Sequence, residues 1–377
     1  MRILVFGGSF DPPHLGHAAL LSAAARAVKP GRILIVPAYQ APLKDRPATG
    51  ASERLAMIRL GLLRALPARW RRAARIDHGE LRLKRRVYTI DTLKRLAKSH
   101  PGAELHFAVG SDAAASFDSW KEPARLRSMC RWWSARRSKN SRAIPAFFKR
   151  LPGRMPEISS TELRELLASG EDVSASLAPA VRAYIGRRGL YGTGLLRSLE
   201  GLLPPDRMAH TLAVTRLAEK LARRWGEDPA KARLAALLHD CGRALSGPSM
   251  KSYARRRRLK VPALKEIIRR RPLLLHAYIG ADLARRRFGV TDPAVLSAIR
   301  KHTLGGREMS RLDRLLYVAD AASEDRGHPG AKALRQKAFR DLGGAFRDCV
   351  RDKLGHARAS SSWIHPTTLS LWNSLRR

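Results

Sequence analysis

Two histidines three residues apart, His14 and His17, close a stretch that reads Gly7-Gly8-Ser9-Phe10-Asp11-Pro12-Pro13-His14-Leu15-Gly16-His17, directly after the apolar run Ile3–Phe6. The i, i+3 spacing places both imidazoles on one side of a first helical turn. A strand, a glycine-rich turn and a helix start expose backbone N–H groups where the helix dipole favours anions, so the chemistry indicated is phosphate binding. A plain βα connection would use the Gly and Pro but not the two His. A second set stands at Ile158-Ser159-Ser160-Thr161-Glu162-Leu163-Arg164: the hydroxyls and orphan N–H groups of a helix start, with Arg164 one turn further in. A capping box of Ser159 or Ser160 with Glu162 would account for part of it. Beside the His pair, a second phosphate cradle is the better reading.

The later residues carry another kind of chemistry. His239-Asp240 ends an Ala/Leu-rich segment, and His210, His276, His302 and Asp320 each fall in or at the end of a separate helical pattern. Neutral imidazoles with carboxylates inside a helical bundle suit divalent transition metals, and Asp240 could bridge two such ions, which together activate water against a phosphoanhydride. Any one of these His alone reads as an ordinary core or surface residue; the adjacent His-Asp pair with three more His and a late Asp does not. His328, His356 and His365 have no such setting.

The elements that must position these groups fall into two kinds. Strand-like runs at Ile3–Phe6, Arg32–Pro37 and Glu104–Val109 alternate with helical patterns at Ala18–Val28, Ser52–Leu66 (Ser52 as cap) and Tyr88–Ser99. That predicts an α/β domain with a doubly wound parallel sheet, whose ligands gather outside the carboxyl ends of the strands. His14, His17, the 37–44 loop and Gly110-Ser111-Asp112 all follow strands, so they should share one cleft. From Leu195 onward the pattern is helix after helix, with segments at His210–Trp225, Ala230–His239, Pro262–Arg270, His276–Phe288, Pro293–His302 and Ser310–Ala322. Two domains are expected, 1–192 and 195–377, the second all-α.

Composition narrows the class. Of 377 residues 44% are hydrophobic, which is enough to bury a core, and the three cysteines have no metal or disulfide spacing, so they read as reduced thiols. No apolar run approaches the ~18 residues that span a bilayer, and no signal-peptide pattern opens the chain; a cytoplasmic protein without membrane partners is expected. The net charge of +41 raises nucleic-acid binding. The excess is not localised, however: 35 Lys+Arg stand against 15 Asp+Glu in residues 1–192, and 38 against 17 in 193–377. A solvated Arg-rich surface follows, with no specific nucleic acid expected.

The string GGSFDPPHLGH resembles the GxFxPxHxGH signature of the nucleotidyltransferase superfamily. With PAYQAPLK (37–44), YTIDTL (88–93), GSDAAASFDSW (110–120), ISSTELR (158–164) and PAVRAYIGRRGLY (179–191), it resembles bacterial nicotinate-mononucleotide adenylyltransferases in the family's own order. That resemblance implies Mg²⁺-dependent transfer of AMP from ATP to nicotinate mononucleotide, giving deamido-NAD and pyrophosphate. By it His14, His17 and Arg164 would be catalytic, and Gly8, Ser9, Phe10, Lys44, Ser159, Ser160 and Thr161 would meet ATP. Gly110 and Asp112 would take the adenosine ribose, and Tyr88, Thr89 and Trp120 would border the nicotinate ring. Val87 stands where the family usually has Ser, and the segment after Met129 lacks the family's Arg-Pro-Gly turn. The order H…HD…H…H…D, within RMAH (207–210), LLHDCGR (237–243), LLHAYIGADLA (274–284), AIRKHTLG (298–305), YVADAASEDR (317–326) and IHPTTLSLWN (364–373), resembles the HD-domain bis(5′-nucleosyl)-tetraphosphatases. This implies hydrolysis of a dinucleoside polyphosphate, diadenosine tetraphosphate, to two ADP at a two-iron-type centre. His210, His239, Asp240, His276, His302 and Asp320 would be its ligands, with Asp240 and Arg243 catalytic. Arg243 stands where Lys is common, Ser323 where Glu is usual, and Glu324-Asp325 where Pro-Asn is common. Two other readings stay open: a nucleotide-sensing second domain without turnover, and an RNA-associated basic protein.

Overall fold

The computed structural model describes residues 1–377 except 41–46, 136–143, 154, 157, 328, 361 and 377. Lys44 therefore lies outside the described residues, as does His328. Two compact units divide the chain, Met1–Gly194 and Leu195–Arg377.

The first unit opens with β1 (Arg2–Gly8), α1 (Leu15–Val28) and β2 (Arg32–Pro37), then α2 (Ala51–Ile58), α3 (Ala68–Ala73), β3 (Ala74–Ile76), α4 (Gly79–Leu83) and α5 (Thr89–Ser99). It continues with β4 (Glu104–Gly110), α6 (Ser111–Ala115), α7 (Pro123–Met129), β5 (Arg131–Ala135), β6 (Lys149–Arg150), α8 (Ser160–Ala168) and α9 (Pro179–Arg188). The described strands form one sheet in the order β3-β2-β1-β4-β5-β6, parallel at every pairing. Such a sheet is covered on both faces, which is why its strands are continuously apolar. Leu4 and Phe6 pack on α1 through Leu21, Ala24 and Ala25, while Ile3 and Val5 face Ile90, Leu93 and Trp132 on the other side. Chain order reverses beside β1, between β2 and β4, so a ligand crevice is expected at the carboxyl ends of β1 and β4. Among the described strands β5 and β6 complete the sheet.

Two local expectations are corrected. Ser52 does not cap α2; Gly50 occupies the N-cap, with no side-chain bond. Nor is 52–66 one regular helix: it widens to π geometry over Arg59–Leu63, where α9 packs and Val181 lies against Gly61. Apolar periodicity does not register one inserted residue.

Glu80 in α4 is buried and accepts a hydrogen bond from Thr92 Oγ1 at 2.6 Å. Burial pushes its carboxyl up to about 7, above the ordinary value that the unfolded chain shows. The folded state therefore holds the extra proton between pH ~4.5 and ~7, and stability falls as pH rises through that window. Glu80→Gln should remove this slope and be more stable than the parent at pH 8 by at most about 3 kcal/mol. Urea midpoints of both chains at pH 5 and 8 test it; parallel pH profiles would refute the assignment.

The second unit is helical: most of α10 (Thr193–Glu200), then α11 (Pro205–Trp225), α12 (Pro229–Leu238), α13 (Gly247–Arg256), α14 (Leu264–Arg270), α15 (His276–Arg286), α16 (Pro293–Lys301), α17 (Arg311–Ala322), α18 (Pro329–Arg340), α19 (Leu342–Ala359) and α20 (Pro366–Leu375). Its main core joins Leu217 and Leu221 of α11, Leu238 of α12, Ile299 of α16, Leu315 and Val318 of α17 and Phe346 and Val350 of α19. No described helix is long and apolar enough to cross a membrane.

Candidate active sites

In the first unit His14 is the N-cap of α1 and His17 its third residue. His17 N–H donates to His14 Nδ1 and His14 N–H to His17 Nδ1, each at 3.3 Å. Two of the helix's orphan donors are thus satisfied by imidazoles rather than by the usual Ser and Glu. Because both Nδ1 atoms accept, each neutral ring keeps its proton on Nε2. The rings lie 3.7 Å apart, and Phe10 supports His17 at 5.2 Å. Gly16 leaves room between them: a Cβ there would sit 3.0 Å from His14 Nδ1 and press on that ring.

The second phosphate set docks on the same turn. Ser159 caps α8 through Glu162 N–H, Ser160 Oγ donates to Pro12 O at 2.9 Å, and Arg164 Nη1 donates to Asp11 O at 2.8 Å. Arg164 Nη2 also donates to Thr161 Oγ1 at 3.2 Å. His14, His17, Ser159, Ser160, Thr161 and Arg164, separated by some 140 positions, therefore border one turn at the carboxyl edge of β1. Gly8 ends β1 and pairs with Pro37, and Ser9 and Phe10 follow it. Gly110 ends β4, with Asp112 in the first turn of α6. Tyr88 and Thr89 start α5, and Trp120 packs 5.4 Å from Phe117, on the sheet face away from α1.

Asp11 was not singled out from its own position in the chain. It is buried, and its carboxylate accepts from Ala48 N–H at 2.6 Å, Thr49 Oγ1 at 2.6 Å and Tyr191 Oη at 2.7 Å. Arg54, also buried, donates to Ser9 O at 2.8 Å and Ala38 O at 2.6 Å. A carboxylate so saturated with hydrogen bonds is a strut for the turn. Burial and the Asp11 charge push the Tyr191 phenol up, keeping it a neutral donor.

In the second unit His210 sits early in α11, His239 follows α12, Asp240 leads into a 3₁₀ turn over Cys241–Ala244, His276 opens α15, His302 follows α16 and Asp320 lies in α17. All four imidazoles and Asp240 are buried. His210 Nε2 is 3.1 Å from Asp320 Oδ1, His276 Nε2 is 3.4 Å from Asp240 Oδ1, and His239 Nε2 is 3.8 Å from Asp240 Oδ2. Gly242 makes this approach possible, since a Cβ there would come within 2.2 Å of His276 O. Burial pushes His276 and His302 down to about 4 and about 3, so both are neutral at pH 7. Burial also opposes ionising Asp240 and Asp320, yet in acid, where the facing imidazoles become protonated, their charge outweighs it, and both carboxyls lie below the ordinary range.

These donors fit a divalent metal. The Nδ1 atoms of His239, His276 and His302 lie 2.6–2.7 Å from backbone carbonyls and so donate, which turns their Nε2 lone pairs inward. His276 Nε2 and His302 Nε2 stand 3.0 Å apart, and Thr303 Oγ1, with one proton, lies within 3.0 Å of both. His239 Nε2 is buried without a hydrogen-bond partner. Converging lone pairs and an orphaned nitrogen beside two carboxylates are what a cation resolves. The ligand atoms of His210, His239 and Asp320, and those of His239, Asp240 and His302, lie within 4.8 Å of one another. Cations border the carboxylates: Arg243 Nε is 3.6 Å and Arg207 Nη1 3.4 Å from Asp240, and Arg326 Nη2 is 2.7 Å from Asp320. Arg326 and Thr303 lay inside the motif strings without a signal of their own, and Asp325 stood out only as a departure from the family pattern, with no role assigned to it. His365 caps α20 and lies 3.1 Å from Pro262 O, a structural role.

A parallel sheet with paired histidines at its first βα turn, and a helical bundle closing on four His and two Asp, define a nucleotidyltransferase-type unit and an HD-type helical unit with a candidate metal centre. Consistently, the family description "Cytidylyltransferase-like" fits residues 5–166 and "HD domain" fits residues 207–325. The chain is 27% identical to the "Probable nicotinate-nucleotide adenylyltransferase/Ap4A hydrolase" of Mycoplasma genitalium, over 86% of this chain and 88% of that protein. It is 32% identical to the "Probable nicotinate-nucleotide adenylyltransferase" of Gemmatimonas aurantiaca, over 51% of this chain and 92% of that protein. Its second half is 34% identical to the "Bis(5′-nucleosyl)-tetraphosphatase, symmetrical" of Bacillus subtilis, over 46% of this chain and 91% of that protein. The chain belongs to the nicotinate-nucleotide adenylyltransferase family in its first unit and to the symmetrical bis(5′-nucleosyl)-tetraphosphatase family in its second.

Proposed function

We propose that the chain is a bifunctional cytoplasmic enzyme in which residues 1–192 join ATP to nicotinate mononucleotide and residues 195–377 hydrolyse a dinucleoside polyphosphate such as diadenosine tetraphosphate. The observation that supports the first activity is the docking of Ser160 and Arg164 on the Asp11–Pro12 turn that presents His14 and His17. A phosphate oxygen of the mononucleotide attacks the α-phosphorus of MgATP; a P–O bond forms, the α–β anhydride bond breaks and pyrophosphate leaves. The attacking oxygen is already anionic, so no general base is needed. Positioning and charge neutralisation carry the catalysis. The Nε2–H groups of His14 and His17 and the Arg164 guanidinium would hold the triphosphate, with Gly8, Ser9, Phe10, Ser159, Ser160, Thr161 and Lys44 around it. Gly110 and Asp112 would meet the ribose, and Tyr88, Thr89 and Trp120 the nicotinate ring.

In the second unit His210, His239, Asp240, His276, His302 and Asp320 would hold two divalent transition-metal ions, iron by family precedent. Bound there, the ions supply Lewis-acid activation of water and of the polyphosphate. Arg207 and Arg243 approach Asp240 and would orient the anionic chain, and cleavage symmetric about the polyphosphate gives two ADP. The full chain incubated with ATP, Mg²⁺ and nicotinate or nicotinamide mononucleotide should give deamido-NAD from the former. With diadenosine tetraphosphate and Fe²⁺ or Mn²⁺ it should give ADP. Absence of deamido-NAD sinks the first half of the reading; metal bound without turnover sinks the second.

A further inference from the structure

The four imidazoles of the second unit are not oriented alike. His239, His276 and His302 stand at helix ends, where the carbonyl three residues back is within reach, and each Nδ1 lies 2.6–2.7 Å from it: Ala236 O, Leu273 O and Ile299 O. His210 lies inside α11, which runs unbroken from Pro205 to Trp225, so the carbonyls behind it are engaged by the helix itself. It needs an acceptor from elsewhere. That acceptor is Asp325, three residues beyond the end of α17, whose Oδ2 is 2.7 Å from His210 Nδ1. His210 Nε2 is thereby turned toward Asp320 Oδ1 at 3.1 Å.

We infer that Asp325 is the positioning residue for the metal held by His210, His239 and Asp320, fixing the His210 tautomer and ring and raising its basicity as a ligand. The inference rests on the metal-centre reading above. It concerns a residue outside the ligand set. Three ligands take their orientation from neutral carbonyls, whereas His210 takes it from a carboxylate on a loop. Outer carboxylates of this kind commonly change metal affinity by 10–100-fold. This makes the two ion positions unequal, with the one containing His210 dependent on the 323–327 loop.

The test is Mn²⁺ affinity of the full chain, measured by competition with a fluorescent chelator, alongside melting in the metal-free state. Asp325→Ala is expected to weaken one class of Mn²⁺ sites by about 10–100-fold. Its adenylyl transfer should match the parent, and its metal-free melting should fall by no more than a few degrees, the cost of one lost hydrogen bond to a buried imidazole. Asp325→Glu should recover most of the affinity, and Asp325→Asn, an acceptor without charge, should fall between. Glu324→Ala, which removes the exposed neighbouring charge, should leave affinity unchanged. Parental affinity in Asp325→Ala, or an equal loss in Glu324→Ala, overturns the inference while leaving the metal centre standing. A parent chain that binds no Mn²⁺ overturns both.

Discussion

His17→Ala is expected to lower kcat for deamido-NAD synthesis by about 10²–10³-fold, the usual consequence of removing one preorganised donor from a transition state that gathers negative charge. The α-phosphorus passes through a geometry in which its oxygens demand more hydrogen bonding than in bound ATP, so the loss should fall on kcat more than on KM. The structure adds a complication that the motif conceals. His17 Nδ1 also accepts the His14 N–H, so alanine removes a helix cap as well as a donor. That cap is worth about 1 kcal/mol, enough to shift the melting of the first unit by a few degrees but not to unfold it. His17→Gln separates the two roles. Gln in the third helical position completes a capping box and should restore stability without restoring rate. Near-parental turnover in His17→Ala would show that the paired imidazoles do not carry the transfer.

Asp240→Asn is expected to abolish hydrolysis of diadenosine tetraphosphate, a loss of at least about 10³-fold, and to strip bound transition metal from the second unit. Asp240 faces His239, His276 and His302 together with the cations Arg207 and Arg243. Removing its charge leaves those imidazoles without the anion that makes cation binding favourable. Deamido-NAD synthesis by the same preparation should be unchanged, which controls for folding. A chelator selective for transition metals over Mg²⁺ should reproduce this pattern in the parent chain, and addition of Mn²⁺ or Fe²⁺ should reverse it. Retained metal and retained hydrolysis in Asp240→Asn would move the centre of the chemistry elsewhere.

Much of the candidate site was readable because the residues proposed to meet phosphate or metal are types whose chemistry is unusual at their positions. Two His in a βα turn, hydroxyls with Arg at a helix start, and His-Asp at a helix end all stand out without coordinates. The supports did not stand out. Asp11 and Tyr191 lie 180 positions apart, yet meet at 2.7 Å. Asp325 reaches His210 across 115 positions. Each is an ordinary loop acid or tyrosine until the fold supplies its partner. The π stretch at Arg59–Leu63, against which α1 and α9 pack, likewise left no mark on the apolar periodicity.

The order of β1, β2 and β4 with the helices between them, the helical second half and the proposed phosphate and metal chemistries follow from local spacing, since turns, caps and apolar periodicity act over a few residues; β3, β5 and β6 are too short or too polar to show that way. Which groups meet is decided by the tertiary structure: parallel pairing brings the ends of β1 and β4 side by side, and bundle packing points six side chains from five segments inward. Hydrogen bonds and ion coordination act over about 3 Å, a distance that sequence separation does not encode.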